Sequence, residues 1–137
     1  MIKIIFYLKM NNKIIAIAGF FGMTAIALGA FGAHALKAIL TPDQLLTFET
    51  GVKYQIYHAL FLLFLGLNNQ LQEKTKRIIL NLTTIGLIFF SGSIYLLATD
   101  SLNSFNFKTI GFITPIGGLL LIVSWGILIW NFLKKKV

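Results

Sequence analysis

His34 and His58 are the only imidazoles in the 137-residue chain, and each stands beside a long apolar run. An imidazole can ligate a metal or a haem iron, or exchange a proton near neutral pH. Glu49, Tyr54, Gln55 and Tyr57 lie close to them in sequence, and Ser91, Ser93, Tyr95, Asp100 and Thr114 follow further along. Three readings of the histidines stand open: ligation of a haem or metal, contact with a proton or substrate, or structural hydrogen bonds that close the end of a bundle. A divalent metal wants a third or fourth protein ligand. The chain has no cysteine, so Glu49 is the residue left to supply one. A bis-histidine haem needs the two rings to face across a slot, for which Gly29 and Gly32 would leave room. The serines lack a G-x-S-x-G context, and no HExxH, P-loop or dinucleotide motif is present. The residues therefore assign no catalytic, cofactor-binding or metal-binding position and imply no cofactor. The expectation is a non-enzymatic protein in which these side chains form a polar cluster.

Four apolar stretches must position that cluster: Ile14–Leu36, Tyr54–Leu67, Ile78–Ala98 and Ile110–Leu133. Crossing about 30 Å of hydrocarbon takes about 20 mostly apolar residues in a helix. The second stretch is short, but Thr41-Pro42-Asp43-Gln44 before it reads as a capping box with proline at the first helical position. Leu45, Phe48, Val52 and Ile56 then share one face. This predicts an amphipathic helix that runs on into the second span, with Gly51 as a bend point. In the first span Ala18, Gly22, Ala25, Gly29 and Ala33 fall on one helical face, a pattern that lets helices approach closely in lipid. Thr114-Pro115 reads as the N-cap and first residue of the fourth helix. The expected fold is all-α, a four-helix transmembrane bundle with a short amphipathic helix before the second span. It comprises an N-terminal segment 1–13, one membrane domain 14–133 and a basic tail 134–137.

Composition agrees. Hydrophobic residues make up 57% of the chain, charged residues 12%, and mean hydropathy is +0.83. Soluble domains hold about 25% charged residues. The net charge of +8 does not line a face that could bind nucleic acid; it flanks the apolar runs. Nine of the twelve lysines and arginines fall before the first span, between the second and third, and after the fourth. Only Lys37, Lys53 and Lys108 fall on the other side, where Asp43, Glu49 and Asp100 also lie. Basic residues in short loops stay in the cytoplasm. Both termini are therefore expected there, in a bacterial plasma membrane, and the polar cluster at the outer face. The expected partners are membrane lipid and, in addition, a second copy or other membrane proteins. A rival reading, a small transporter or proton-linked channel subunit, would require an oligomer. Lys3, Lys9 and Lys13 before an apolar run ending near Ala33-His34-Ala35 also resemble a signal peptide, but the run of about 20 residues exceeds the usual 7–15. Met10-Asn11-Asn12-Lys13 would itself make a good start, so residues 1–9 read as an interfacial extension or a misassigned start.

Four segments carry a family resemblance: GAFGAHALK at Gly29–Lys37, TGVKYQIYHAL at Thr50–Leu60, FSGSIYLL at Phe90–Leu97 and ITPIGGLLL at Ile113–Leu121. Together they resemble the small bacterial membrane proteins grouped as a domain of unknown function, whose animal relatives are called transmembrane protein 256. The resemblance runs from about Lys13 to Leu133. It implies a four-helix multi-pass membrane protein and carries over no activity and no catalytic residue.

Overall fold

The computed structural model describes the backbone of residues 2–102 and 107–134, and side chains from residue 9 onward apart from that of Lys108. The charges of Lys3, Lys108, Lys135 and Lys136, used in the count above, lie outside the side chains so described. Every regular element among the described residues is helical. Helix α1 is Ile2–His34, so residues before Ile14 continue the first span. A single 3₁₀ turn, Leu36–Ala38, leads to α2, Pro42–Leu67. A short loop then precedes α3, Glu73–Leu87, which passes through a π-helical turn, Ile88–Gly92, into α4, Ser93–Ala98. Two 3₁₀ turns, Asp100–Leu102 and Phe107–Ile110, connect to α5, Ile113–Lys134.

Three of the resulting rods are long and apolar enough to cross a membrane: the first, the α3–α4 rod Glu73–Ala98, and α5. Helix α2 is more polar but long enough, at about 39 Å for its 26 residues. It stands between α1 on one side and the α3–α4 rod on the other, and α5 packs on α3 and the π-turn. The amphipathic segment and the second span are thus one uninterrupted helix. Its start is the capping box read from sequence. The Gln44 N–H donates to Thr41 Oγ1 (3.3 Å), and the Thr41 N–H donates to Gln44 Oε1 (3.0 Å).

The helix runs through Gly51 without a break. Gly51 is buried, and a Cβ there would meet the Tyr95 ring at 2.7 Å, so it makes room for α4. Along the α1–α2 seam, a Cβ at Gly22 would meet Ala59 at 3.9 Å, at Gly29 Val52 at 3.4 Å, and at Gly32 the Phe48 ring at 3.2 Å. The small-residue stripe therefore packs helices, and it ends at buried Gly32, with Ala33 facing out. In lipid, where apolar side chains gain little by leaving the acyl tails, such close approach supplies the attraction.

The tightest approach is between α3 and α5. A Cβ on Gly117 would fall on the Phe90 backbone N and within 2.8 Å of the Gly86 carbonyl oxygen. Helix α5 begins at Ile113, two residues earlier than expected. Thr114 does not cap it; its hydroxyl pairs with Ser93 Oγ at 2.6 Å, and Pro115 falls in the first turn, where the N–H it lacks would have no partner inside the helix anyway. Large apolar side chains cover the outside, among them Phe20, Met23 and Ile26 on α1 and Leu119, Ile122, Ile129 and Trp130 on α5. Such a surface is stable in hydrocarbon and not in water. At one end of the bundle Lys9 and Lys13 of α1 share a hollow with Glu73 and Arg77 of α3.

Gly117 and Gly126 separate packing from helix propensity. Nothing lies within 4 Å of a Cβ placed on Gly126. Gly117→Ala should therefore destabilise the protein by about 1–3 kcal/mol, and Gly126→Ala should be neutral or stabilising by up to about 1 kcal/mol. Unfolding titrations in mixed detergent micelles check both.

Candidate functional site

Gln55 occupies the middle of α2, about 20 Å along the helix from Pro42. It is buried, and every hydrogen-bonding group of its carboxamide is engaged. Nε2 donates to the Phe21 carbonyl (3.0 Å) and to Thr24 Oγ1 (2.8 Å), both on α1. Oε1 accepts from the Tyr95 hydroxyl (2.8 Å) on α4. Thr24 in turn donates to the Phe20 carbonyl at 2.8 Å. The Tyr95 ring lies against Phe48, centroids 4.9 Å apart. One side chain thus ties three helices together. A turn away, buried Ser91 in the π-turn donates to the Gly51 carbonyl at 2.9 Å.

His58 lies one turn beyond Gln55 and is 94% buried (6% exposed). Its Nδ1 is 2.8 Å from the Tyr54 carbonyl of its own helix. A carbonyl oxygen only accepts, so Nδ1 carries the proton, and in the neutral ring Nε2 presents a lone pair. Nε2 has no hydrogen-bond partner among the described residues. The ring stacks on Tyr54 (centroids 6.3 Å, 18° between planes) and meets the edge of Phe61 at 6.2 Å. It borders a hollow of about 280 Å³ between α2, the π-turn and α5, shared with Phe90 and Trp125.

The two histidines are not neighbours. The α1–α2 contacts pair Gly22 with Ala59 and Gly32 with Phe48, so His34 stands level with residues 46–47 of α2 and His58 level with residues 22–23 of α1. At 1.5 Å per residue they differ by about 17 Å in depth. Metal–nitrogen bonds are about 2 Å, so the two rings of one chain cannot ligate one iron. His34 is exposed at the end of α1. No group of three His, Cys, Asp or Glu side chains that could hold a metal occurs among the described residues.

The remaining candidates divide in the same way. Glu49 faces Lys53 at 4.0 Å on the surface of α2, both about half exposed, a pairing of small energetic weight. Asp100 Oδ1 accepts from the Phe107 N–H between α4 and α5. Ser93 and Thr114 join α4 to α5. Tyr54 and Tyr57 face the groove between α2 and α5. The structure therefore assembles Gln55, Tyr95 and Ser91 in mid-bundle, not at an outer face, and leaves His34, Glu49 and Asp100 apart from them. The depth differs from the expectation because the segment from Pro42, expected at the interface, and the apolar stretch after it form a single rod, which carries Gln55 and His58 far from its N-terminal end.

Two participants escaped the sequence reading. Thr24 is a polar residue within an otherwise apolar run, which was the available signal. Lys76, counted with the loop charges, is fully buried, and its Nζ donates to Asn11 Oδ1 at 2.7 Å. Its neighbours Lys74 and Arg77 are exposed.

Comparison with known proteins is consistent with this architecture. The model for a protein family described as "Protein of unknown function (DUF423)" matches residues 28–118. A UPF0382 membrane protein of Haemophilus influenzae is 36% identical over 127 residues, covering 93% of this chain and 98% of the relative. One of Staphylococcus saprophyticus is 39% identical over 112 residues, 82% of this chain and 89% of the relative. The UPF0382 inner membrane protein YgdD of Escherichia coli is 31% identical over 121 residues, 84% and 85% respectively. No solved structure matches the chain.

The carboxamide network yields a direct test. Gln55→Leu removes three bonds and orphans the Tyr95 hydroxyl, and should destabilise the protein by about 2–3 kcal/mol, since interhelical bonds in membranes average about 0.6 kcal/mol and reach about 1.7. In a double-mutant cycle Gln55→Leu and Tyr95→Phe should couple, whereas His34→Ala should change stability by less than about 0.5 kcal/mol. Reversible unfolding in detergent measures each.

Proposed function

The chain belongs to the UPF0382 (DUF423) family of membrane proteins, and we propose on that footing that it performs no covalent chemistry. It works as a binding or assembly unit of the bacterial plasma membrane, with both termini in the cytoplasm. The observation that carries this reading is the full engagement of the Gln55 carboxamide by Phe21, Thr24 and Tyr95. The buried carboxamide and the hydroxyls nearest it are spent on holding helices together. Ser91 is bonded to a backbone carbonyl, and Ser93 and Thr114 to each other. A nucleophile needs a base within hydrogen-bond reach, and these hydroxyls have amides, carbonyls and each other.

On this reading the partners are membrane lipid and other membrane helices, a second copy included, which meet the outward apolar side chains of α1 and α5. The orientation rests on charge. Lys9, Lys13 and Arg77 gather at one end of the bundle, and basic residues beside spans are held on the cytoplasmic side.

The absence of cysteine makes orientation easy to measure, because an introduced thiol is the only one present. Lys37→Cys should react with a membrane-impermeant maleimide in intact spheroplasts, and Lys74→Cys only after permeabilisation. The opposite pattern would overturn the orientation.

A further inference from the structure

Helix α5 packs on α3 and the π-turn rather than closely on α2, and an open trough runs between α2 and α5. Two hollows follow one another along it. The first, about 280 Å³, is bordered by Tyr54, His58, Phe90 and Trp125. The second, about 450 Å³, lies further toward the ends of both helices and is bordered by Phe61, Phe64, Trp125 and Leu128. Trp125 belongs to both, its ring 4.3 Å from that of Phe61. A cavity of about 150 Å³ accommodates benzene, so the first hollow has room for a substituted ring and the second for a tail.

Three features define the ligand. No Asp, Glu, Lys or Arg side chain borders either hollow, so the ligand is uncharged. The walls of the first hollow are aromatic, which favours a ring in offset or edge-on contact. The one imidazole facing it is nine-tenths buried, with Nδ1–H committed to the Tyr54 carbonyl and Nε2 without a partner among the described residues. A neutral imidazole in that tautomer accepts, so the ligand must donate. Depth excludes a phospholipid headgroup: His58 lies about 24 Å along α2 from Pro42, within the hydrocarbon layer.

We propose that this trough binds a membrane-dissolved phenolic lipid, hydroquinones included. Its ring lies between Tyr54, Phe90 and Trp125, its hydroxyl donates to His58 Nε2, and its tail lies along the second hollow. The inference concerns binding alone and does not depend on which end of the protein faces the cytoplasm.

Fluorescence of Trp125 reports occupancy directly. The only other tryptophan, Trp130, is exposed with Lys134 over its ring, and Trp130→Phe removes its signal. The full chain in detergent is titrated with a decyl-substituted hydroquinone kept reduced, with its dimethyl ether, and with dodecanol as competitor. The expected result is saturable quenching by the hydroquinone and about ten-fold weaker binding of the ether, which cannot donate. His58→Phe should abolish that discrimination. Gly118→Leu fills the first hollow from α5, where a Cβ would make only ordinary contact with the Phe90 ring at 3.5 Å, and should abolish saturable quenching. Quenching that does not saturate, equal binding of the ether, displacement by dodecanol at equal concentration, or unchanged binding in Gly118→Leu would each overturn the proposal. The Gly118 variant decides the matter even where His58→Phe fails to fold.

Discussion

A carboxamide buried in a bilayer can find hydrogen-bond partners only in the protein, because the hydrocarbon supplies none. Gln55 meets that constraint with α1 on one side and α4 on the other. The rest of the bundle is compatible with those bonds only in one register. Thr24 must stand level with Gln55, which fixes how far α1 slides along α2. Tyr95 must reach the same carboxamide, which fixes the height of α4. The glycines along the α1–α2 seam and at Gly51 then set how near the helices come. Apolar packing alone discriminates weakly between registers in lipid, where both packed and unpacked side chains are surrounded by hydrocarbon. The polar network supplies that discrimination.

The π-turn resolves a second constraint. Gly86 and Gly117 let the backbones of α3 and α5 come close, and a Cβ on Gly117 would fall on the Phe90 backbone N. A straight α-helix from Glu73 to Ala98 would set the angular positions of Ser91, Ser93 and Tyr95 by its regular 3.6-residue period. The wider turn at Ile88–Gly92 shifts that phase. Ser91 then reaches Gly51 on α2, while Ser93, two residues on, reaches Thr114 on α5. The same element thus bonds helices on both of its sides.

Helix number, the capping box at Thr41–Gln44, the packing role of the glycine stripe and the gathering of basic residues were all legible in the sequence, because each follows from local spacing or from charge. What was not legible depends on relative depth. His34 and His58 were read as level because both lie near what looked like outer span ends. That reading ran the amphipathic helix on into the second span but laid it at the interface, so depth was counted from Tyr54. The true rod starts at Pro42, twelve residues earlier, and His58 descends with it. Lys76 was hidden for a related reason. A charge flanking a span is ordinarily solvated, and only the fold shows that Asn11 of α1 comes down beside it and draws its ammonium group inward.

Gln55 and His58 are three residues apart on α2 and both are buried, yet their chemical situations are opposite. The difference lies in what faces them. Gln55 looks across to α1 and α4, which are close enough to satisfy it on every side. His58 looks toward α5, which is held away by its contact with Phe90 and the rest of the π-turn, and no side chain of α5 near it bears a group that hydrogen-bonds to the imidazole. Its burial comes from Tyr54, Phe61 and the groove walls, not from a polar partner. A polar acceptor that faces hydrocarbon without a partner is unfavourable, and a leucine at that position would remove the penalty. The histidine is therefore a poor choice for stability alone and a good one for a donor that enters from the membrane.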